Sequence, residues 1–346
     1  MKIRVVIGTW VVFVVLVTAN LFPGHAQKSL GRPAPQQESA QPSAPEAGLG
    51  LPSILDEGTR FNPLKIALLK WFLFETSAPV TVGNQPYGVC FDGANIWTAN
   101  FASNNVTKVR ARDGEVLGTF NVGNQPYGVT FDGANVWASN QLDSTVTKLR
   151  ASDGKILGTF PVGRFPGWMT FDGQSIWVPN GPDNTVIKLR AADGKNLGAF
   201  TVGTSPIATA FDGGSVWVTS YVANTVTKLR ASDGKVLGTF TVGTNPLGIA
   251  FDGANVWIAN RNSNSVTELR ASDGAVLNTI PVNADGPYGV VFDGAYIWIS
   301  GDSNVDALRA SDGTVVASRK LQSEGIVFDG VHIWTATQAG NSLFRF

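Results

Sequence analysis

The chain is 346 residues long and 43% hydrophobic, enough to bury a large core as one all-β domain or as two smaller domains. Lysine plus arginine equal aspartate plus glutamate at 26 each, which excludes the strong basic field that a nucleic-acid partner would need. The lone cysteine, Cys90, excludes an internal disulfide, so stability must come from packing and closure of the fold.

The N-terminal stretch MKIRVVIGTWVVFVVLVTANLFPGHAQ carries Lys2 and Arg4, an apolar run from Val5 to Leu21, and small residues at Gly24 and Ala26. This layout predicts a signal peptide cleaved after Ala26. Because about 17 apolar residues can cross a bilayer, an uncleaved anchor and membrane tether over 1–26 is the competing expectation. Either one sends the rest of the chain out of the cytoplasm, secreted or periplasmic. Residues 27–56 are rich in Pro, Ala, Gln and Ser, with Pro33, Pro35, Pro42, Pro45 and Pro52 among them, and predict a flexible linker. Within 57–78, FNPLKIALLKWFLF has Asn62 as a cap, Pro63 at the first helical position, and apolar residues at Ile66, Leu69 and Phe72 or Leu73. It predicts a short amphipathic helix packed on the folded domain, with a membrane-surface helix as the alternative.

From residue 79 the chain repeats. Versions of FDGANVW place a phenylalanine at Phe91, Phe131, Phe171, Phe211, Phe251, Phe292 and Phe328, spaced by 40 residues four times, then 41, then 36. The second unit contains four segments of strand composition, YGVTF, NVWAS, TVTKLRA and KILGTFPV, joined in part by Asp132-Gly133 and Asp153-Gly154. Four antiparallel strands in about 40 residues predict a propeller blade, and seven units predict a seven-bladed β-propeller over 79–346. The last unit offers only three strands, GIVFD, HIWTA and SLFRF. The fourth is expected from the N-terminal side, where PVTVGNQPYG (79–88) repeats TFNVGNQPYG (119–128), so that the ring closes and leaves no open edge.

Trp97, Trp137, Trp177, Trp217, Trp257, Trp298 and Trp334 recur at one point on the second strand and are expected to fill the wedges between blades. Cys90 stands where sister repeats carry Thr130, Thr170, Ala210 and Ala250, and reads as a small buried side chain. In KLR of the third strand, Lys148 and Arg150 share one side and predict a solvated outer face.

The run NTVTKLRASDGKVLGTFTVGTNPLGIAFDGANVWIAN (224–260) resembles the YVTN-type and NHL-type propeller repeats of exported bacterial proteins. It is also similar to the repeat of streptogramin (virginiamycin B) lyase propellers, which share seven blades. The resemblance implies the fold; propellers of this kind host enzymes, binding proteins and scaffolds. For the lyases it would imply a histidine base and a metal-binding carboxylate at one end of the channel. This chain has two histidines: His25 in the leader, and His332 in a bottom turn aligned with Asn95 and Asn135. Lyase chemistry is therefore not carried over residue by residue.

If the innermost strand runs down through PYGVTFD, the near-identical FDGAN and ASDGK turns share the bottom face. The varied loops after each Trp strand and the connections between blades share the top. On this more variable top face, Tyr87, Tyr127, Arg164, Phe165, Trp168, Tyr221, Arg261, Tyr288, Asp302 and Glu324 are the candidate ligand-binding site. Trp168 stands where sister repeats carry glycine, at Gly88, Gly128, Gly248, Gly289 and Gly325. Aromatics with a few charges suit a sugar, a peptide or an aromatic ligand.

No cofactor or metal is expected: the Asp-Gly turns lack the clustered carboxylates of a calcium loop. Paired Cys/His zinc spacing, a phosphate-binding glycine loop and a nucleophile elbow are also missing from the sequence. The sequence thus predicts an exported, monomeric, non-catalytic module that binds an extracytoplasmic ligand or protein through its top face. A lyase-like or lactone-hydrolase-like enzyme and a purely structural surface repeat protein are the alternatives.

Overall fold

The reversal that starts each blade is built by one aspartate and one glycine. In the second unit Asp132 Oδ1 accepts the backbone N–H groups of Ala134 and Asn135 at 2.9 and 2.6 Å, and Gly133 takes φ 94°, a value glycine alone adopts freely. The inner strand Pro126–Phe131 therefore turns sharply into Asn135–Asn140. The computed structural model describes residues 78–346. The leader, linker and helix expected over 1–77 lie outside the described residues.

The described residues form seven four-stranded antiparallel sheets arranged as the blades of a propeller. Blades 1 to 6 run over 86–121, 126–161, 170–201, 206–241, 246–281 and 290–320, each with its strands in sequence order from the channel outward. Blade 7 takes Ile326–Phe328, Ile333–Thr337 and Ser342–Arg345, and its outer strand is Val80–Thr81. The register is Val80 opposite Leu343 and Thr81 opposite Ser342, and Val82 N donates to Asn341 O at 2.9 Å. The ring closes as the strand count predicts.

The core lies in the wedges between blades. Trp97 packs with Val129, Val136, Ala138 and Leu149 of blade 2, and the other junctions repeat the arrangement. Each of the seven indole N–H groups donates to Oδ2 of the turn aspartate of its own blade, Asp92, Asp132, Asp172, Asp212, Asp252, Asp293 or Asp329, at 2.6–2.8 Å. One carboxylate thus folds the turn and satisfies the donor of a buried tryptophan.

The outer-face expectation for the third-strand lysines is corrected. Lys148 is 7% exposed. Its ammonium sits 5.0 Å from the Trp137 ring centroid and donates to Ala191 O of blade 3 at 2.6 Å. Lys108, Lys188 and Lys228 reach Ala151 O, Ala231 O and Ala271 O in the same way, and Arg345 reaches Ala111 O across the closure. The lysine stem covers the indole and its head ties the next blade, so the residue is a clip between blades. Arg150, by contrast, is exposed and pairs with Asp153.

The inner strands position the channel mouth. In blades 1, 2 and 5 the pairing to the second strand slips between Pro86 and Val89, Pro126 and Val129, and Pro246 and Ile249. Such a bulge re-aims the side chains within it, here including Tyr87 and Tyr127. Neighbouring inner strands approach closely at this level: a Cβ on Gly88 would stand 2.5 Å from Tyr127 O. In blade 3 the tight approach moves back one residue, to Gly167 against Ile207 O, which releases position 168 for a large side chain.

Candidate functional site

At the top of the channel four aromatic side chains from four blades meet. Tyr87 and Tyr127 have ring centroids 4.9 Å apart; Tyr127 stacks on Trp168 at 5.5 Å with an 11° tilt; Trp168 meets Tyr288 edge-on at 5.5 Å. The hydroxyls of Tyr127 and Tyr288 hydrogen-bond at 3.0 Å, and Phe101 adds a fifth ring 5.3 Å from Tyr87. Tyr127 is 6% exposed, whereas Tyr87, Trp168 and Tyr288 are half-buried and present the cluster to the top face.

Beneath the cluster is a cavity of about 150 Å³ in the channel. Its lining includes Val89, Val129, Met169, Ile249, Val290 and Ile326, one residue from the inner segment of each of six blades, and Trp168 closes part of its wall. Trp168 thus belongs both to the aromatic group and to the wall of the channel cavity, whose lining mixes apolar side chains with Thr209 and the glycines of the inner strands.

Charged groups edge the cluster on blades 5, 6 and 7. Arg261 lies over the Tyr288 ring, 5.0 Å from its centroid, pairs with Asp302 at 2.7 Å, and donates to Gly286 O. Glu324 is 3% exposed. Its main chain is pinned, with its N–H donating to Ala336 O and its carbonyl accepting from Ser300 Oγ.

Burial pushes the Glu324 carboxyl up to about 8; the Gln338 backbone N–H pulls it down, the charge of Asp302 pushes it up, and Arg261 pulls it down. Its Oε2 finds no hydrogen-bond partner among the described residues, and neither does Trp168 Nε1. Tyr87 is raised by burial and then by the charge of Glu324, and Tyr127 and Tyr288 are raised chiefly by burial, so all three phenols stay neutral near pH 7.

Of the ten candidate residues, Tyr87, Tyr127, Trp168, Arg261, Tyr288, Asp302 and Glu324 come together. The other three stand apart. Arg164 is exposed and pairs with Asp183 at 2.6 Å. Phe165 is 49% exposed at a left-handed φ of 48°, and Tyr221 is not among the stacked rings of the described residues.

Phe101 and Gln338 were not among the candidates, yet both touch the cluster. Each opens the top loop after a Trp strand, the position that Arg261 and Asp302 occupy in their blades, so alignment of the loop starts holds the signal. His332 sits in the bottom turn with Nδ1 3.3 Å from Asp329 Oδ2. Cys90 is half-buried on the blade 1 inner strand, and burial raises its thiol well above the ordinary range. Among the described residues, no three His, Cys, Asp or Glu side chains gather as a metal site would require.

No family model matches the chain, and no curated protein matches it by sequence. Solved structures do match in fold. A streptogramin B lyase is 18% identical, with a TM-score of 0.69 over 80% of this chain and 98% of its own. A catalytically inactive virginiamycin B lyase from Staphylococcus aureus, solved with quinupristin, is 17% identical at a TM-score of 0.68 over 78% and 99%. A hydrazine synthase from Kuenenia stuttgartiensis is 17% identical at 0.69 over 79% and 98%. Their activities differ while the seven-bladed propeller is shared, so the likeness establishes the fold.

Proposed function

We propose that this protein is an exported binding module that holds a ligand or a partner protein at the top mouth of its channel without turning it over. The observation that carries the reading is the chemistry gathered at one mouth: three tyrosines, a tryptophan, an Arg–Asp pair and a buried acid from blades 1, 2, 3, 5, 6 and 7 meet there. Half-buried aromatics with an arginine, an aspartate and a buried acid are what a concave recognition site uses. The leader-like sequence of residues 1–26 supports action outside the cytoplasm, with the linker acting as a tether where the leader is kept. Balanced charge speaks against a nucleic-acid ligand.

The test is affinity capture from the exporting cell with wild type and Trp168→Ala in parallel, thermal unfolding serving as the folding control. Loss of a captured species in the variant, with no turnover of it by wild type, is the expected result. Equal capture by both would overturn the mouth as the site.

One observation favours a second reading, an enzyme of the lyase or lactone-hydrolase kind. A buried acid held near 8 beside Tyr87 and Tyr127 is equipped for general acid-base work. Turnover of the captured species abolished by Glu324→Gln would establish it.

A further inference from the structure

Glu324 stands out among the ionisable groups of the mouth because its side chain is buried and its Oε2 has no hydrogen-bond partner among the described residues. Arg261 is committed to Asp302, to Gly286 O and to the face of Tyr288. The groups that face Glu324 are Asp302 and Arg261 on the neighbouring blades, Tyr87 and Tyr127 among the rings, and the Gln338 backbone N–H. Ionised, the carboxylate would leave Glu324, Asp302 and Arg261 with one uncompensated negative charge beside the Tyr87 and Tyr127 rings. Aromatic walls and a buried carboxylate are jointly complementary to an organic cation, because ring faces attract positive charge and the carboxylate supplies the partner. An inorganic divalent ion would need several oxygens, and no such cluster occurs among the described residues.

We propose that the mouth recognises an ammonium group on an organic ligand, its N–H donors meeting Oε2 of Glu324 and its carbon skeleton resting on Tyr87 and Trp168. The proposal rests on the reading of the mouth as a binding site and assigns the ligand class to it. An N–H-bearing ammonium fits better than a quaternary one, since Oε2 needs a donor. Recognition is coupled to a proton: the acid that is neutral near pH 7 ionises when the ammonium arrives, and the proton passes to the buffer. The ammonium keeps its own hydrogens and no other bond changes.

The probe is benzylammonium, with benzyl alcohol as its neutral counterpart and benzoate as its anionic one, titrated calorimetrically into the full chain at pH 7 in two buffers of different ionisation enthalpy. Benzylammonium should bind, with about one proton released per site, and Glu324→Gln should weaken it about tenfold or more and abolish the proton release. The wild-type proton count does not depend on how well the variant folds. Benzylammonium binding without proton release overturns the proposal, as does equal or tighter binding of benzyl alcohol or benzoate. Where either of these binds and is lost in Trp168→Ala, the cation assignment fails while the mouth stands as a site. Absence of binding by all three probes also overturns the assignment, and the capture experiment alone then bears on the mouth.

Discussion

Glu324 shows how one residue departs from the repeat and acquires a property that no sister position has. Folding raises its carboxyl from the ordinary carboxylate range to about 8 by removing it from water. Between these values the folded protein keeps a proton that the unfolded chain has lost, so stability falls as pH rises through this window. The contribution is complete below the unfolded value and gone above pH 8. Glu324→Gln, which cannot ionise, should therefore leave stability near pH 4 little changed and raise it by up to about 5 kcal/mol at pH 9 relative to wild type. Denaturant melts of both proteins across that range check it, and parallel curves at all pH values would contradict it. The nonconforming residue was legible in the sequence; its proton was not, because burial exists only in the packed fold, and the Gln338 N–H and the charges of Asp302 and Arg261 act on the carboxyl only once three blades are assembled.

At the scale of the element, the unit is the turn with its tryptophan. Asp132 accepts two backbone N–H groups, the Asn135 side-chain amide and the Trp137 indole, so Asp132→Ala removes the partner of four donor groups, the indole among them on a fully buried tryptophan. It should cost about 2–4 kcal/mol, with Asp132→Asn costing less because an amide oxygen can still serve the turn. Chemical denaturation of the two variants measures the difference. The sequence announced this turn through Asp-Gly. It did not reveal that the same carboxylate holds the indole, nor that Lys148 crosses to Ala191 O, since both depend on which side chains face each other across a junction. The bulges at Tyr87 and Tyr127 belong to this scale too: they arise where strands of adjacent blades crowd, and they turn two repeat positions toward the mouth.

At the scale of the whole molecule, stability depends on closure. The outer strand of blade 7 has only two residues, Val80 and Thr81, and its continuation is held by Val82 N on Asn341 O. Val82→Pro removes that donor and should destabilise the ring by about 3 kcal/mol. Limited proteolysis should then cut near residues 78–83 before any other described segment. A variant as resistant as wild type would mean that closure is carried elsewhere. Closure also makes the mouth: Tyr127 and Tyr288 share a hydrogen bond across 161 residues of sequence because the ring returns blade 6 to face blade 2.

The sequence by itself determined the blade, the number of blades, the closing strand and the wedge tryptophans. Each is written as a local pattern, an Asp-Gly turn or a period-two strand, and repetition lets a local pattern count the whole. It also marked the residues that break the repeat. Only the tertiary structure decided which of them meet. Trp168 reaches Tyr127 and Tyr288, whereas Phe165, three residues earlier, points to solvent, and Arg164 is spent on Asp183. The physical reason is geometric: a closed ring draws one residue from each blade to a common axis, and burial there sets charge and packing through neighbours that lie far apart in the chain.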